Sequence, residues 1–266
     1  MSTPERIHPL AAKLRITAVA QHGEAAIAQA EASARDAARR GSLELPEVRK
    51  ARLAEERRES DYRRVSEYVR ALKLPVRGEL LEDVVRGKWQ ETSARAAVAA
   101  WLRGDMRVLA LLGDIGTGKT TAISRAACVF AHARRSVAYI REPELVKLSQ
   151  QRTIVAEERM ERLRDVDLLI VDELGTTLTR DGEAAQDAIA SMVDHRIAGV
   201  CRTALLGNFA SATALAKAYG QRFADRLSEI GTVAEIAGTS MRGGALAAPV
   251  TEAGRIAARR LTVGGK

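Results

Sequence analysis

Eight consecutive residues, Gly113 to Thr120, have the types and spacing that bind a phosphate group. They fit the pattern G-x-x-x-x-G-K-[ST], in which glycines let successive backbone N–H groups turn inward around an anion. A helix beginning near Lys119 would direct its positive end at the same anion. Lys119 would reach the β- and γ-phosphates of a nucleotide, and the Thr120 hydroxyl would help to hold Mg²⁺. The residues expected to contact the nucleotide are Gly113, Asp114, Ile115, Gly116, Thr117, Gly118, Lys119, Thr120 and Thr121.

Two adjacent acids, Asp172 and Glu173, directly follow an apolar run, Leu168 to Val171, downstream of the loop. A buried strand that ends in this way places both acids at the carboxyl edge of a parallel sheet, where ligands bind. Asp172 would then hold the Mg²⁺ shell, and Glu173 would polarise an attacking water. Taken alone, the acid pair is also compatible with a simple strand end.

Later polar residues extend this candidate site. Asn208 follows the apolar segment 204–207 and would orient the water or the γ-phosphate, although a turn after a strand also favours Asn. Arg222 and Arg226 lie four residues apart and share a helix face, either as surface ion pairs or as a finger into a neighbouring subunit's nucleotide. Arg242 follows the last predicted strand, where it would reach the γ-phosphate of its own subunit.

Strands and helices alternate from residue 105 onward. Apolar segments predict strands over 106–112, 136–141, 167–172, 202–207 and 233–237. Helical periodicity is present over 121–133, 143–164 in two pieces, 182–198 and 212–230. This alternation predicts an α/β fold with a mainly parallel five-stranded sheet between helices.

The N-terminal part of the chain is predicted to be helical and poor in core residues. The segment 25–39 is rich in alanine, and the segment 47–74 is dense in Arg and Glu with apolar residues at helical spacing. Pro75 ends this helix, and the segment 80–102 predicts one or two more. A helix of this composition usually needs a partner surface, either on the core domain or on another protein.

The net charge of +8 is unevenly distributed. Residues 1–100 and residues 241–266 each carry +4, whereas residues 101–240 are balanced. Basic flanks favour an anionic partner, with nucleic acid as the first candidate, or else a solvated surface with a basic bias. Aromatic residues make up only 3% of the chain, which argues against base stacking as the main mode of nucleic-acid binding.

The chain shows no sign of membrane insertion or secretion. No apolar run approaches the length of a membrane span, and the N-terminus does not resemble a signal peptide. The two cysteines, Cys128 and Cys201, have no metal-ligand spacing, so we expect buried thiols rather than a disulfide. We therefore expect a cytoplasmic protein.

The order of the motifs resembles that of AAA+ ATPases of the initiator clade. The shared patterns are Gly-x-x-Gly-Thr-Gly-Lys-Thr, apolar-Asp-Glu-Leu-Gly, apolar-Gly-Asn, Gly-x-Arg-x-x-Asp-Arg-Leu and Gly-x-Ser-x-Arg. Within this clade the chain is most similar to replicative-helicase loaders of the DnaC/DnaI type and to IstB transposition helpers, over about residues 75–243.

This resemblance implies a P-loop NTPase (AAA+) fold, ATP and Mg²⁺ as cofactors, and an ATP-dependent homo-oligomer. It implies the following roles: Walker A at Gly113–Thr120, Walker B at Asp172 and Glu173, sensor 1 at Asn208, an arginine finger at Arg226 with Arg222 as the alternative, and sensor 2 at Arg242. It also implies three regions: a helical partner-binding region at 1–74, the ATPase domain at 75–243 and a basic tail at 244–266. The tail is too short for the helical lid of larger AAA+ proteins.

Two functions follow from this resemblance. The first is a loader that places a replicative helicase on single-stranded DNA. The second is a transposition helper that binds duplex DNA and recruits a transposase. Two other classes have less support. A small-molecule kinase would need an arginine-rich substrate lid, which is not evident, and a scaffold without turnover is at odds with an intact Glu173.

Overall fold

A computed structural model of the chain describes residues 46–88 and 90–237, together with residues 28, 29, 31–33, 35 and 36. Arg242 and the predicted basic tail at 244–266 lie outside the described residues, as does most of the predicted alanine-rich helix. Contacts divide the chain into two compact units, Met1–Ser60 and Asp61–Lys266. The functional boundaries after residues 74 and 243 stay predictions.

Helices and strands alternate through most of the described chain. The elements in chain order are α1 (Pro46–Ala71), α2 (Gly78–Arg86), α3 (Ser93–Arg103), β1 (Val108–Gly113), α4 (Lys119–His132), β2 (Val137–Arg141), α5 (Glu142–Gln150), α6 (Ile154–Asp165), β3 (Leu168–Leu174), α7 (Leu178–Ile197), β4 (Arg202–Gly207), α8 (Ala212–Tyr219), α9 (Gln221–Ile230) and β5 (Gly231–Ile236).

The five strands form one sheet in the order β2-β3-β4-β1-β5, and every neighbouring pair is parallel. The predicted fold class, a P-loop NTPase with a parallel five-stranded sheet between helices, is therefore confirmed. Strand β1, which leads into the phosphate loop, lies between β4 and β5. Since parallel strands end at the same edge, the residues that follow β1, β3 and β4 meet there.

Side chains of the strands alternate between two buried layers. Leu109 and Leu111 of β1 face a core formed with α2, α3, α4 and the end of α1, where Val65 and Val69 are fully buried. Val108 and Leu112 face the opposite core, formed with α5 to α9. Because strands covered on both faces lack polar alternation, they appear in the sequence as continuous apolar runs.

Two helical segments differ from the predictions. The segment 212–230 is two helices, because Gly220 adopts φ +86° and breaks the run between α8 and α9. The helix predicted over 182–198 begins earlier, at Leu178, and has a non-helical residue, Asp181, near its start.

Two other expectations concern the cysteines and the membrane. Cys128 is buried, Cys201 is half-buried, and both are free thiols. Burial raises the pKa of the Cys128 thiol to about 11. In the described part of the chain, no helix has the length and apolar character needed to cross a bilayer.

Candidate functional site

The loop between β1 and α4 requires glycine at three positions. Gly116 and Gly118 adopt the left-handed conformation, with φ +87° and φ +82°. Gly113 has φ +144°, and a Cβ atom added there would lie 2.3 Å from the Ile236 carbonyl oxygen of β5. The glycine spacing that defined the motif is thus needed for both backbone turning and close approach to a neighbouring strand.

Lys119, the first residue of α4, points into the loop. Its side chain is only 7% exposed, and its Nζ donates hydrogen bonds to the carbonyl oxygens of Gly113 at 2.7 Å and Asp114 at 2.8 Å. The same Nζ lies 3.2 Å from Oδ1 of Asn208, which follows β4. A buried ammonium group held by loop carbonyls is placed to attract the phosphates of a nucleotide.

The remaining loop residues differ in burial. Thr117 is buried, and its hydroxyl donates to the Asp114 carbonyl oxygen at 2.9 Å. Asp114 and Ile115 form an exposed tip, with Ile115 62% exposed. Thr121 lies in the first turn of α4 and is half-buried.

Thr120 and Asp172 meet across the gap between α4 and β3. The Thr120 hydroxyl donates to Oδ2 of Asp172 at 3.1 Å. A hydroxyl and a carboxylate are hard oxygen ligands of the kind that Mg²⁺ prefers. Among the described residues, no cluster of three or more His, Cys, Asp or Glu side chains could hold a metal by itself.

Tyr139 of β2 also reaches Asp172. Its hydroxyl lies 3.4 Å from Oδ2. Burial, followed by the negative charges of Asp172 and Glu173, raises the pKa of the Tyr139 phenol, so it stays protonated and able to donate. Asp172 therefore accepts hydrogen bonds from two hydroxyl groups, that of Thr120 in α4 and that of Tyr139 in β2.

Glu173 stands at an irregularity of β3. Its φ is +61°, which is unusual for a residue with a side chain, and the register between β3 and β4 shifts between Val171 and Leu174. Its N–H donates to Oδ1 of Asp172 at 2.8 Å, and its side chain is exposed. Backbone conformations of this kind persist only where the surroundings hold them, and they concentrate at functional sites.

Asn208 and the arginines have different partners in the structure. Asn208 is in contact with Lys119, as described above. Arg222 and Arg226 of α9 both pair with Asp194 of α7: Arg222 Nη2 lies 2.8 Å from Oδ2, and Arg226 Nε lies 3.3 Å from Oδ1. Arg226 also pairs with Glu229 at 3.2 Å. The structure thus brings together Lys119, Thr120, Asp172 and Asn208, and it places both arginines in surface ion pairs.

Sequence reasoning missed Tyr139, Glu142, Asp194 and Tyr219. Tyr139 lies within a strand, and Asp194 lies on a polar helix face, so neither stood out by type or spacing. Glu142 is fully buried. Its position as the first residue of a helix with an acidic first turn did not indicate this burial. Their contacts with Asp172, with the segment after Glu173 and with the arginines form only in the folded chain.

Solved structures with a similar backbone have low sequence identity to this chain. DnaI has a TM-score of 0.48 and 21% identity, covering 65% of this chain and 100% of that chain. The DnaC helicase loader has a TM-score of 0.45 and 16% identity, covering 55% and 86%. DnaA from Aquifex aeolicus, bound to AMPPCP, has a TM-score of 0.44 and 18% identity, covering 58% and 45%.

A search of curated protein sequences gave no significant match. A protein-family model, in contrast, covers most of the chain. The model described as IstB-like ATP binding protein matches residues 11–245, from the N-terminal segment to beyond the last strand. The match includes the loop, the acids, Asn208 and the arginines. The chain belongs to the family of IstB-like ATP-binding proteins.

Proposed function

We propose that this protein is a Mg²⁺-dependent ATPase. The observation that supports this proposal best is the set of contacts that joins Lys119, Thr120, Asp172 and Asn208 at one edge of the sheet. Lys119 would bind the β- and γ-phosphates, while the first-turn amides of α4 would face the same charge. Thr120 and Asp172 would hold Mg²⁺, which neutralises charge on the phosphates when bound.

Hydrolysis needs a base and a group that orients the water. Glu173 would accept a proton from the attacking water. Its side chain is exposed, so water can reach it, and it directly follows Asp172 in the chain. Asn208 would exchange its contact with Lys119 for one with the γ-phosphate or the water. Both roles require only side chains that already lie at the carboxyl ends of β3 and β4.

The direct test is ATP binding by Lys119→Ala, because this change removes the buried cation of the loop. Lys147→Ala is the matched control, since Lys147 is an exposed lysine of α5. We expect Lys119→Ala to lose ATP binding in calorimetry while it keeps its far-ultraviolet circular dichroism, and Lys147→Ala to bind normally. Undiminished binding by folded Lys119→Ala would refute the phosphate-loop assignment.

The arginines support an oligomeric enzyme. Arg222 and Arg226 are exposed, and exposed ion pairs contribute little to stability, so the arginines can exchange Asp194 for a phosphate. We propose that Arg226 acts as a finger in the site of a neighbouring subunit, with Arg222 as the alternative, so that ATP favours a homo-oligomer. Arg242 is proposed to act as sensor 2 within its own subunit.

The cellular role that we propose is loading a replicative helicase onto single-stranded DNA. This proposal is supported by the order of the five motifs and by the net charge of +4 on each flank. The residues before 75 would bind the helicase, and ATP turnover would control its release. A basic surface with few aromatic residues fits contact with the phosphate backbone rather than with the bases.

A transposition helper that binds duplex DNA and recruits a transposase is the second candidate. It is favoured by the family model, whose description names IstB and whose match begins at residue 11. Both candidates use the same ATPase site, so the deciding features are the DNA form and the protein partner.

One experiment separates the two functions. The full chain is mixed with ATP and either single-stranded or duplex oligonucleotides of equal length, and binding is followed by fluorescence anisotropy. In parallel, the host's replicative helicase is tested for unwinding of a fork coated with single-strand-binding protein. A loader binds the single strand and raises unwinding, whereas Lys119→Ala binds the single strand more weakly and does not raise unwinding. Preference for duplex with no effect on unwinding would favour the transposition helper.

A further inference from the structure

A fully buried carboxylate, Glu142, lies close to the proposed site without taking part in it. Glu142 is the first residue of α5, directly after β2, and its side chain has no exposed surface. Its Oε2 accepts a hydrogen bond from the Thr177 N–H at 2.9 Å, and its Oε1 accepts one from the Tyr219 hydroxyl. A buried carboxylate is costly unless it is hydrogen-bonded, so these contacts must be maintained for the fold to tolerate it.

Tyr219 connects Glu142 to a second backbone amide, that of Gly175. Its hydroxyl accepts a hydrogen bond from the Gly175 N–H at 2.8 Å while it donates to Glu142. Burial, together with the hydrogen bond to Glu142 and its charge, raises the pKa of the Tyr219 phenol, so the donor proton is retained. One buried carboxylate therefore holds Thr177 directly and Gly175 through Tyr219.

These two amides belong to the turn that follows Glu173. The turn has a left-handed residue at Glu173, with φ +61°, and another at Gly175, with φ +94°. The Phe209 ring packs on Gly175 so closely that a Cβ atom there would lie 2.8 Å from it. Phe209, the residue after Asn208, also packs edge-on against the Tyr219 ring, with centroids 6.0 Å apart.

Tyr219 also lies just before the N-terminus of α9, the helix of the two arginines. It is the last residue of α8, and Gly220 separates it from α9, which carries Arg222 and Arg226. The Tyr219 ring lies 5.4 Å from the Phe223 ring of α9. The same tyrosine thus contacts the turn after Glu173, the residue after Asn208 and the helix of the arginines.

We propose that Glu142 and Tyr219 are positioning residues for ATP hydrolysis. By fixing the amides of Gly175 and Thr177, they hold Glu173 in its left-handed conformation with its carboxylate at the sheet edge. Glu142 is fully buried and Tyr219 is only 4% exposed, so neither is placed to touch a bound nucleotide. This inference rests on the proposed ATPase function, since it assigns Glu142 and Tyr219 a role in the same site.

Tyr219→Phe tests the inference, because it removes only the hydroxyl that bridges Gly175 and Glu142. Tyr68→Phe is the matched control: the Tyr68 hydroxyl accepts from the Val137 N–H at 2.8 Å, at the other end of β2. Two measurements are made on each variant. The first is steady-state ATP turnover, and the second is amide hydrogen exchange of residues 173–177 without nucleotide.

We expect Tyr219→Phe to lower kcat by about tenfold or more, because displacement of a catalytic group by a fraction of an ångström is sufficient for such a loss. KM and ATP affinity should stay within about twofold, since the phosphate loop is untouched. Exchange of residues 173–177 should accelerate in this variant and not in Tyr68→Phe. A folded Tyr219→Phe with normal kcat would overturn the proposal, as would an equal loss of kcat in the control.

Glu142→Gln adds a test of the connection between the two residues. Thr177 and Tyr219 donate to different oxygens of the carboxylate, and the glutamine has an NH₂ group in place of one of them, so it cannot accept at both positions. Combining Glu142→Gln with Tyr219→Phe also removes the Tyr219 hydroxyl, which the glutamine leaves without its acceptor. The kcat of the double variant should therefore be no lower than that of the slower single variant. Additive losses would show that the residues act separately and would contradict the proposal.

The two proposals fail in different ways. If the wild-type protein binds ATP but does not hydrolyse it, the proposed function is wrong. Hydrogen exchange then still decides whether Glu142 and Tyr219 hold the turn, because that measurement requires no turnover. Unchanged exchange in Tyr219→Phe would refute the positioning role whatever the fate of the ATPase proposal.

Discussion

The Thr120 hydroxyl lies 3.1 Å from the Asp172 carboxylate, although 52 residues separate them in the chain. The contact exists because β1 and β3 run parallel on either side of β4, so α4 and the end of β3 meet at one edge. In the structure, the Thr120 and Asp172 side chains are hydrogen-bonded to each other. With ATP bound, both are proposed to turn their oxygens toward Mg²⁺.

Asp172→Asn should weaken the use of Mg²⁺ rather than the binding of the nucleotide itself. The amide keeps the size of the side chain and can still accept from Thr120, but it lacks the charge that a divalent cation requires. We expect turnover to fall and the Mg²⁺ concentration for half-maximal turnover to rise by about tenfold, in the range of losses known for metal sites. A Mg²⁺ titration of ATPase activity measures this shift, and an unchanged midpoint would remove Asp172 from the metal site.

Glu173→Gln should separate ATP binding from hydrolysis. The amide preserves the shape of the side chain but cannot take a proton from water, so we expect turnover to drop by about two orders of magnitude or more. ATP affinity should be retained. Glu183→Gln, at an exposed position of α7, is the control for loss of one surface charge. Wild-type turnover in Glu173→Gln would show that this glutamate has a structural role.

The loop and the apolar strands could be predicted from the sequence because their signals are local. Gly113, Gly116 and Gly118 define a short pattern, and a strand buried on both faces is a continuous apolar run. The five parallel strands were therefore predicted. Their order was not, because no local pattern specifies which strand lies beside β1.

Contacts between distant elements could not be predicted in the same way. Glu142 looks like an ordinary acid in the first turn of a helix, and Tyr219 like an apolar residue of a longer helix. Their hydrogen bond depends on how α5 and α8 pack beneath the turn after Glu173. The pairing of Arg222 and Arg226 with Asp194 likewise depends on the packing of α9 against α7.

DNA binding should be sensitive to salt and strengthened by ATP. The basic flanks would contact phosphates, and each contact releases counterions, so affinity should fall steeply as salt is raised. Base preference should be slight, because aromatic residues are only 3% of the chain. Anisotropy with mixed-sequence and homopolymer oligonucleotides at two salt concentrations measures both effects. Equal affinity at low and moderate salt would contradict a mode dominated by phosphate contacts.

The role of Arg226 can be tested by complementation between two inactive variants. If Arg226 completes a neighbour's site, Arg226→Ala should bind ATP normally but hydrolyse it poorly, and wild-type turnover per subunit should rise with protein concentration. Mixing Arg226→Ala with Lys119→Ala should restore part of the activity. At one interface of the mixed assembly, an intact loop from the first variant meets an intact arginine from the second.

Arg222→Ala and Asp194→Asn complete this test, because Arg222 and Arg226 share Asp194 as their partner. If Arg222 is the finger instead, Arg222→Ala and not Arg226→Ala will be rescued by mixing with Lys119→Ala. Asp194→Asn removes the carboxylate from which either arginine must detach, so turnover should be maintained or increased. If neither arginine variant is rescued and wild-type turnover is independent of concentration, neither arginine completes a neighbour's site and the oligomeric mechanism is wrong.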